Sequence, residues 1–97
     1  MTKLEINQLF STGKKIYTPL VKAVYLPSET TSVIISAPIK VWKRAVDRNR
    51  IKRLIREALM KKEIGKFNIA FIYSGTTIKS LSEIKEDIDK ILFRLKS

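Results

Sequence analysis

The segment AVDRNRIKRLIREAL, residues 45–59, limits the folds open to this chain more than any other stretch. It sets five cations, Arg48, Arg50, Lys52, Arg53 and Arg56, within nine positions, yet Ile51, Leu54, Ile55, Ala58 and Leu59 recur among them. At 100° per residue the five apolar side chains fall in one stripe, and Asn49, Lys52, Arg53 and Arg56 lie on the opposite side. Such a helix must bury one face against a second layer and hold the other in solvent or against an anion. Arg48 and Arg50 flank the cationic face near the helix start, where free backbone N–H groups and the positive end of the dipole also favour phosphate.

Charged runs often do no more than solvate a helix, so the rest of the chain has to decide. Lys and Arg number 20 against 9 Asp and Glu, a net charge of +11 with an isoelectric point near 10.1. Half of these cations, from Lys40 to Lys62, surround the helix, where few acids stand by to form i to i+4 pairs beyond Glu57 with Lys61. Arg outnumbers Lys between 48 and 56, which suits a bidentate grip on phosphate better than solubility alone. The partner this predicts is a nucleic acid.

The other elements follow from local signals. Thr2 and Glu5 have capping-box spacing and Gly13 can supply a left-handed stop, which predicts a first helix over 3–12. IYTPLVKAVYLP predicts a strand over 20–26, with a short one before it around Ile16, and SVIISA predicts another before Pro38. Two antiparallel neighbours are the simplest pairing. The cationic helix is expected over 43–64, roughly 33 Å long, ending at Gly65. FNIAFIY predicts a buried strand, and Ser80 with Glu83 opens a last helix carrying Leu81, Ile84, Ile88, Ile91, Leu92 and Leu95 on one face. At 97 residues and 44% hydrophobic content this is one α+β domain, residues 1–97.

Cys and His are both absent, which excludes disulfides, thiolate nucleophiles and imidazole acid–base catalysis. The nine carboxylates show no clustered arrangement that would hold two metals, so an autonomous metallonuclease is a poor reading. No run approaches the roughly 18 apolar residues of a membrane span, and MTKLEINQLF does not resemble a signal peptide. A cytoplasmic location is expected. Binding to an anionic membrane is disfavoured because the apolar stripe is needed for the core.

AVDRNRIKRLIRE closely resembles the signature helix of the bacterial ribonuclease P protein component, roughly A-V-x-R-N-x-x-K-R-x-x-R-E. Ala45, Val46, Arg48, Asn49, Lys52, Arg53, Arg56 and Glu57 meet every fixed position. The resemblance implies an α-β-β-β-α-β-α domain with a left-handed β-α-β crossover, against the right-handed default. It implies a subunit that joins a catalytic RNA to remove 5′ leaders from precursor tRNA, with Mg²⁺ held mainly by the RNA and no obligate protein partner. By position, Arg48, Asn49, Arg50, Lys52, Arg53 and Arg56 would contact RNA. Phe10, Tyr25 and Lys40 are assigned to a cleft for the single-stranded leader, between the first helix and the sheet. Ile6 stands where the family carries a further aromatic, and Trp42 interrupts a stretch that is often Lys-rich; it is expected to pack before the helix. The competing reading is an RNA-binding module of ribosomal-protein type, for which the same basic helix would serve.

Overall fold

The computed structural model describes residues 2–96, in the order α1 (Lys3–Thr12), β1 (Lys14–Tyr17), β2 (Val21–Pro27), β3 (Ser32–Ser36), α2 (Ala45–Leu59), β4 (Phe67–Tyr73) and α3 (Leu81–Leu95). Both expected capping boxes form. The Glu5 N–H donates to the Thr2 hydroxyl at 3.2 Å, and Ser80 and Glu83 reciprocate at the start of α3. The Thr2 hydroxyl, followed by the Thr2 backbone N–H, holds the Glu5 carboxyl below its usual range.

The sheet differs from the simplest pairing. Its order is β1-β2-β4-β3, so β4 lies between the two strands expected to be neighbours. It runs antiparallel to β2 and parallel to β3, with α2 as the crossover between β3 and β4. The composition of β4 explains this placement. Ile69, Ala70 and Phe71 are buried in succession, so the strand needs cover on both faces, and only an interior position supplies it. On one face Val21, Ala23, Ile69, Phe71 and Tyr73 meet Ile51, Ile55 and Ala58 of α2 and Ile84, Ile88 and Ile91 of α3. On the other, Val24 and Ala70 meet Leu9 of α1, with Leu26, Ile34 and Ile72 packed around them.

Two helix ends also depart from expectation. Gly13 has φ −64° and is not left-handed. A Cβ there would stand 2.7 Å from Val24 Cγ1 and 2.3 Å from the Leu9 carbonyl oxygen, so glycine is required by the close approach of α1 to β2. The cationic helix is 15 residues, roughly 22 Å, and stops five residues before Ile64. Its last turn tightens as the Met60 N–H donates to the Glu57 carbonyl, and Lys61 adopts a left-handed φ of 62°. Continuing would carry Ile64 away from the core against which it packs. With Lys61 turned out of the helix, the expected Glu57–Lys61 pair does not form.

Asp87 is the one buried charged residue among those described, at 5% exposure. Its Oδ2 accepts from the Leu20 N–H at 2.8 Å, fastening α3 to the start of β2, while Lys90 lies 3.9 Å from Oδ1. Asp87→Ala leaves that N–H without its acceptor and should cost about 1–3 kcal/mol. Urea denaturation checks this; an unchanged midpoint would mean that water replaces the carboxylate without loss.

Candidate nucleic-acid interface

The apolar stripe of α2 is seated as its spacing requires. Ile51, Ile55 and Ala58 are fully buried, and Leu54 and Leu59 are half-buried against the same core. The helix is thereby held by its underside, and Asn49, Arg50, Arg53 and Arg56 are exposed. Among the described residues none of Arg50, Lys52, Arg53 and Arg56 forms an ion pair. The salt bridges lie elsewhere, at Arg44–Asp47, Lys62–Asp89 and Lys90–Asp87. Unneutralised guanidinium groups on a rigid helix form a surface for oxyanions, since each can offer paired N–H donors without first breaking an internal contact.

The six residues expected to face RNA do not act alike. Arg48 is half-buried, and its Nη1 donates to the carbonyls of Trp42 at 2.8 Å and Lys43 at 2.9 Å. It therefore closes the loop that leads into α2, whose N-cap, Arg44, contributes no side-chain bond. Lys52 is half-buried on the flank toward β3 rather than fully outward. Trp42 packs as expected: it is half-buried, with its ring 6.1 Å from that of Tyr73.

The cleft residues divide between the two faces of the sheet. Phe10 is 44% exposed beside buried Leu9, so it is not a core filler. Tyr25, by contrast, pairs with Lys14 and Ile69 on the face covered by α2 and α3, and its ring meets Phe67 edge-on at 5.6 Å. It does not line the surface beside α1. By alternation Tyr17, which pairs with Lys22, shares the face of Val24, at the end of β1 where it also borders Glu86, Asp89, Lys90, Phe93 and Arg94 of α3. Tyr17 is 61% exposed, with the Lys22 ammonium 5.5 Å from its ring centroid. The sequence signal for it was the alternation of β1, where Lys15 and Tyr17 fall opposite Ile16. Lys40 is exposed in the turn after β3, where Val41 and Trp42 both donate to the Pro38 carbonyl. By strand alternation that face carries Lys15, Tyr17 and Lys22, and Phe10 of α1 is exposed.

Together these features define a small basic α+β domain with one helix presenting uncompensated cations and a second, aromatic and basic, surface on the opposite face of its sheet. The chain matches the Ribonuclease P family across residues 1–96, and it belongs to that family. It is 44% identical over 59 residues to the ribonuclease P protein component of Porphyromonas gingivalis, an alignment covering 56% of this chain and 43% of that protein. The corresponding protein of Nitrosococcus oceani is 33% identical over 61 residues, 61% of this chain and 51% of that one. The chain therefore aligns with about half the length of these relatives. In fold it is similar to the Staphylococcus aureus RNase P protein, with a TM-score of 0.82 at 20% identity over 99% of this chain and 93% of that one. The Thermotoga maritima RNase P protein gives 0.81 at 20% identity, over 93% and 90% of the two chains.

The differing roles of two arginines can be separated by their effect on stability. Arg48→Ala removes the donor to two loop carbonyls and should lower stability by about 1–2 kcal/mol, whereas Arg53→Ala should stay within about 0.5 kcal/mol of the parent. Equal melting temperatures for the two variants would show that Arg48 does not hold the loop.

Proposed function

We propose that this chain is the protein subunit of ribonuclease P, and that it binds the catalytic RNA through α2 while holding the 5′ leader of precursor tRNA on the sheet face beside α1. The observation that carries this reading is the unpaired cationic face of a helix whose sequence meets every fixed position of the family's signature. Arg50, Arg53, Arg56 and Lys52 would neutralise phosphates of the RNA, with Asn49 supplying a neutral hydrogen-bonding group among them. A single-stranded leader needs no sequence reader: aromatic rings for its bases and cations for its backbone suffice, and Phe10, Tyr17, Lys15 and Lys22 provide them.

Hydrolysis of the leader is assigned to the RNA. Among the described residues no three acidic side chains gather where they could hold a metal ion. In this reading the Mg²⁺ is held mainly by RNA phosphates. The protein's part is to reduce repulsion between two polyanions and to orient the leader. No described helix is long and apolar enough to cross a membrane, and a cytoplasmic location is part of the proposal.

Reconstitution with a bacterial ribonuclease P RNA, Mg²⁺ and precursor tRNA tests the reading directly. Protein alone should leave the precursor intact, and the mixture should release the leader at low Mg²⁺ where RNA alone is slow. Arg53→Ala or Arg56→Ala should weaken RNA affinity by about 1–3 kcal/mol and reduce the slope of log K against log salt by roughly 0.7–0.9 per lost contact. An unchanged slope in both variants would return this face to simple solvation.

The cleft makes a separate prediction. Phe10→Leu and Tyr17→Leu each remove a stacking plane, worth about 1–3 kcal/mol per base, while leaving an apolar side chain. Holoenzyme carrying either variant should lose affinity for tRNA with a leader and bind leaderless tRNA as before. Tyr25→Leu should lower thermal stability without altering that ratio of affinities. A ratio that moves only with Tyr25→Leu would place the leader on the wrong side of the sheet for this reading.

A further inference from the structure

Beside the outward face of α2 lies a groove of about 440 Å³, bounded by Val33, Ile35, Lys52, Arg56, Leu59 and Ile64. Its floor is apolar: Val33 is 39% exposed, and Ile35, Leu59 and Ile64 are half-buried. Lys52 and Arg56, one turn apart on α2, supply the cations. The other wall is β3, which pairs only with β4 and so forms an edge of the sheet. Alternate residues of an edge strand leave their N–H and C=O groups unpaired and open to a ligand.

We propose that this groove takes one unstacked nucleotide of the bound RNA, with the base against the apolar floor and its phosphate on Lys52 and Arg56. The inference rests on the reading of α2 as the RNA-binding helix and adds a base-sized receptacle to its phosphate contacts. Three features select a nucleotide. The volume lies in the range of about 300–1,000 Å³ that small ligands occupy. An apolar floor beside two cations matches a flat base joined to a phosphate, and the Arg56 guanidinium can also stack on the base plane. The unpaired backbone groups of β3 can meet the hydrogen-bonding edge of a base, which phosphate contacts alone never read. A continuous duplex keeps its bases stacked inside and cannot fill the groove, so an RNA with an extruded base gains contacts that a duplex of equal charge lacks.

Two RNA probes test this with the full chain: a 12-base-pair duplex, and the same duplex carrying one unpaired adenosine. The bulged RNA should bind about tenfold more tightly, as expected for one captured base. In protein labelled at Ile, Leu and Val methyls, Val33, Ile35, Leu59 and Ile64 should shift with the bulged RNA alone, through the ring current of the base, while Ile84 and Ile91 in the core stay in place. Val33→Gln and Ile64→Ser, both without change of charge, should each remove the preference and leave duplex affinity within about twofold. Because the readout is a ratio, a loss of stability that depresses both affinities does not imitate the effect. Equal binding of the two RNAs without groove shifts overturns the nucleotide site, leaves the RNA-binding reading of α2 standing, and points to a strand-adding peptide at the β3 edge. A preference that survives both substitutions places the base elsewhere and also overturns it. Failure to bind either RNA removes the reading of α2 on which the proposal depends.

Discussion

The position of β4 between β2 and β3 is the constraint on which the rest of the molecule depends. All seven residues of Phe67–Tyr73 pair with β2, Asn68–Ile72 pair also with β3, and side chains are buried on both faces. Ile69, Phe71 and Tyr73 look toward α2 and α3, while Ala70 looks toward Leu9 of α1. The small side chain of Ala70 lets α1 approach, as does Gly13 at its end. A parallel neighbour in β3 also requires a long crossover, and α2 supplies it. The cationic helix is thus held on the sheet by the connection that the strand order demands.

Burial and charge are separated cleanly on α2, and the separation is what frees its cations. The helix is anchored by Ile51, Ile55 and Ala58, so stability is drawn from the underside and the upper face need make no internal contact. Charge on α3 is near balance. On α3, Glu83, Glu86, Asp87 and Asp89 offset Lys85, Lys90 and Arg94, and Asp87 and Asp89 accept pairs from Lys90 and Lys62. An approaching polyanion therefore meets a positive α2 beside a near-neutral α3, which orients the encounter as well as strengthening it.

Much of this architecture is legible in the residues themselves. Capping boxes at Thr2 and Ser80 start α1 and α3 because a hydroxyl and a carboxylate three residues apart satisfy two free N–H groups locally. The 3.6-residue period of Ile51, Leu54, Ile55, Ala58 and Leu59 names the buried face of α2, and the unbroken apolar run of β4 marks an interior strand. The outward placement of Arg53 and Arg56 follows from the same projection, and so does the family resemblance carried by residues 45–57.

What the tertiary structure alone decided is how these pieces meet. Strand order is a long-range choice: the apolar run of β4 calls for an interior position, but no local signal says which strands flank it. The end of α2 at Leu59, five residues before Ile64, follows from the need to return the chain to the core and not from propensity, since nothing in MKKEI forbids a helix. Gly13 is explained by the closeness of Val24, a contact that exists only once α1 lies on the sheet. Tyr25 and Tyr17 exchange roles for the same reason. A strand's alternation says which residues share a face, but which face receives α1 is fixed only when the hydrophobic surfaces of three helices are divided between the two sides of one sheet. Arg48 turns inward to the Trp42 and Lys43 carbonyls because folding leaves those groups unpaired beside it. The sequence by itself determined which segments are helices and strands and which helix carries the charge, because those depend on near neighbours. Only the packed structure decided which cations are left exposed, because that depends on what else must be buried.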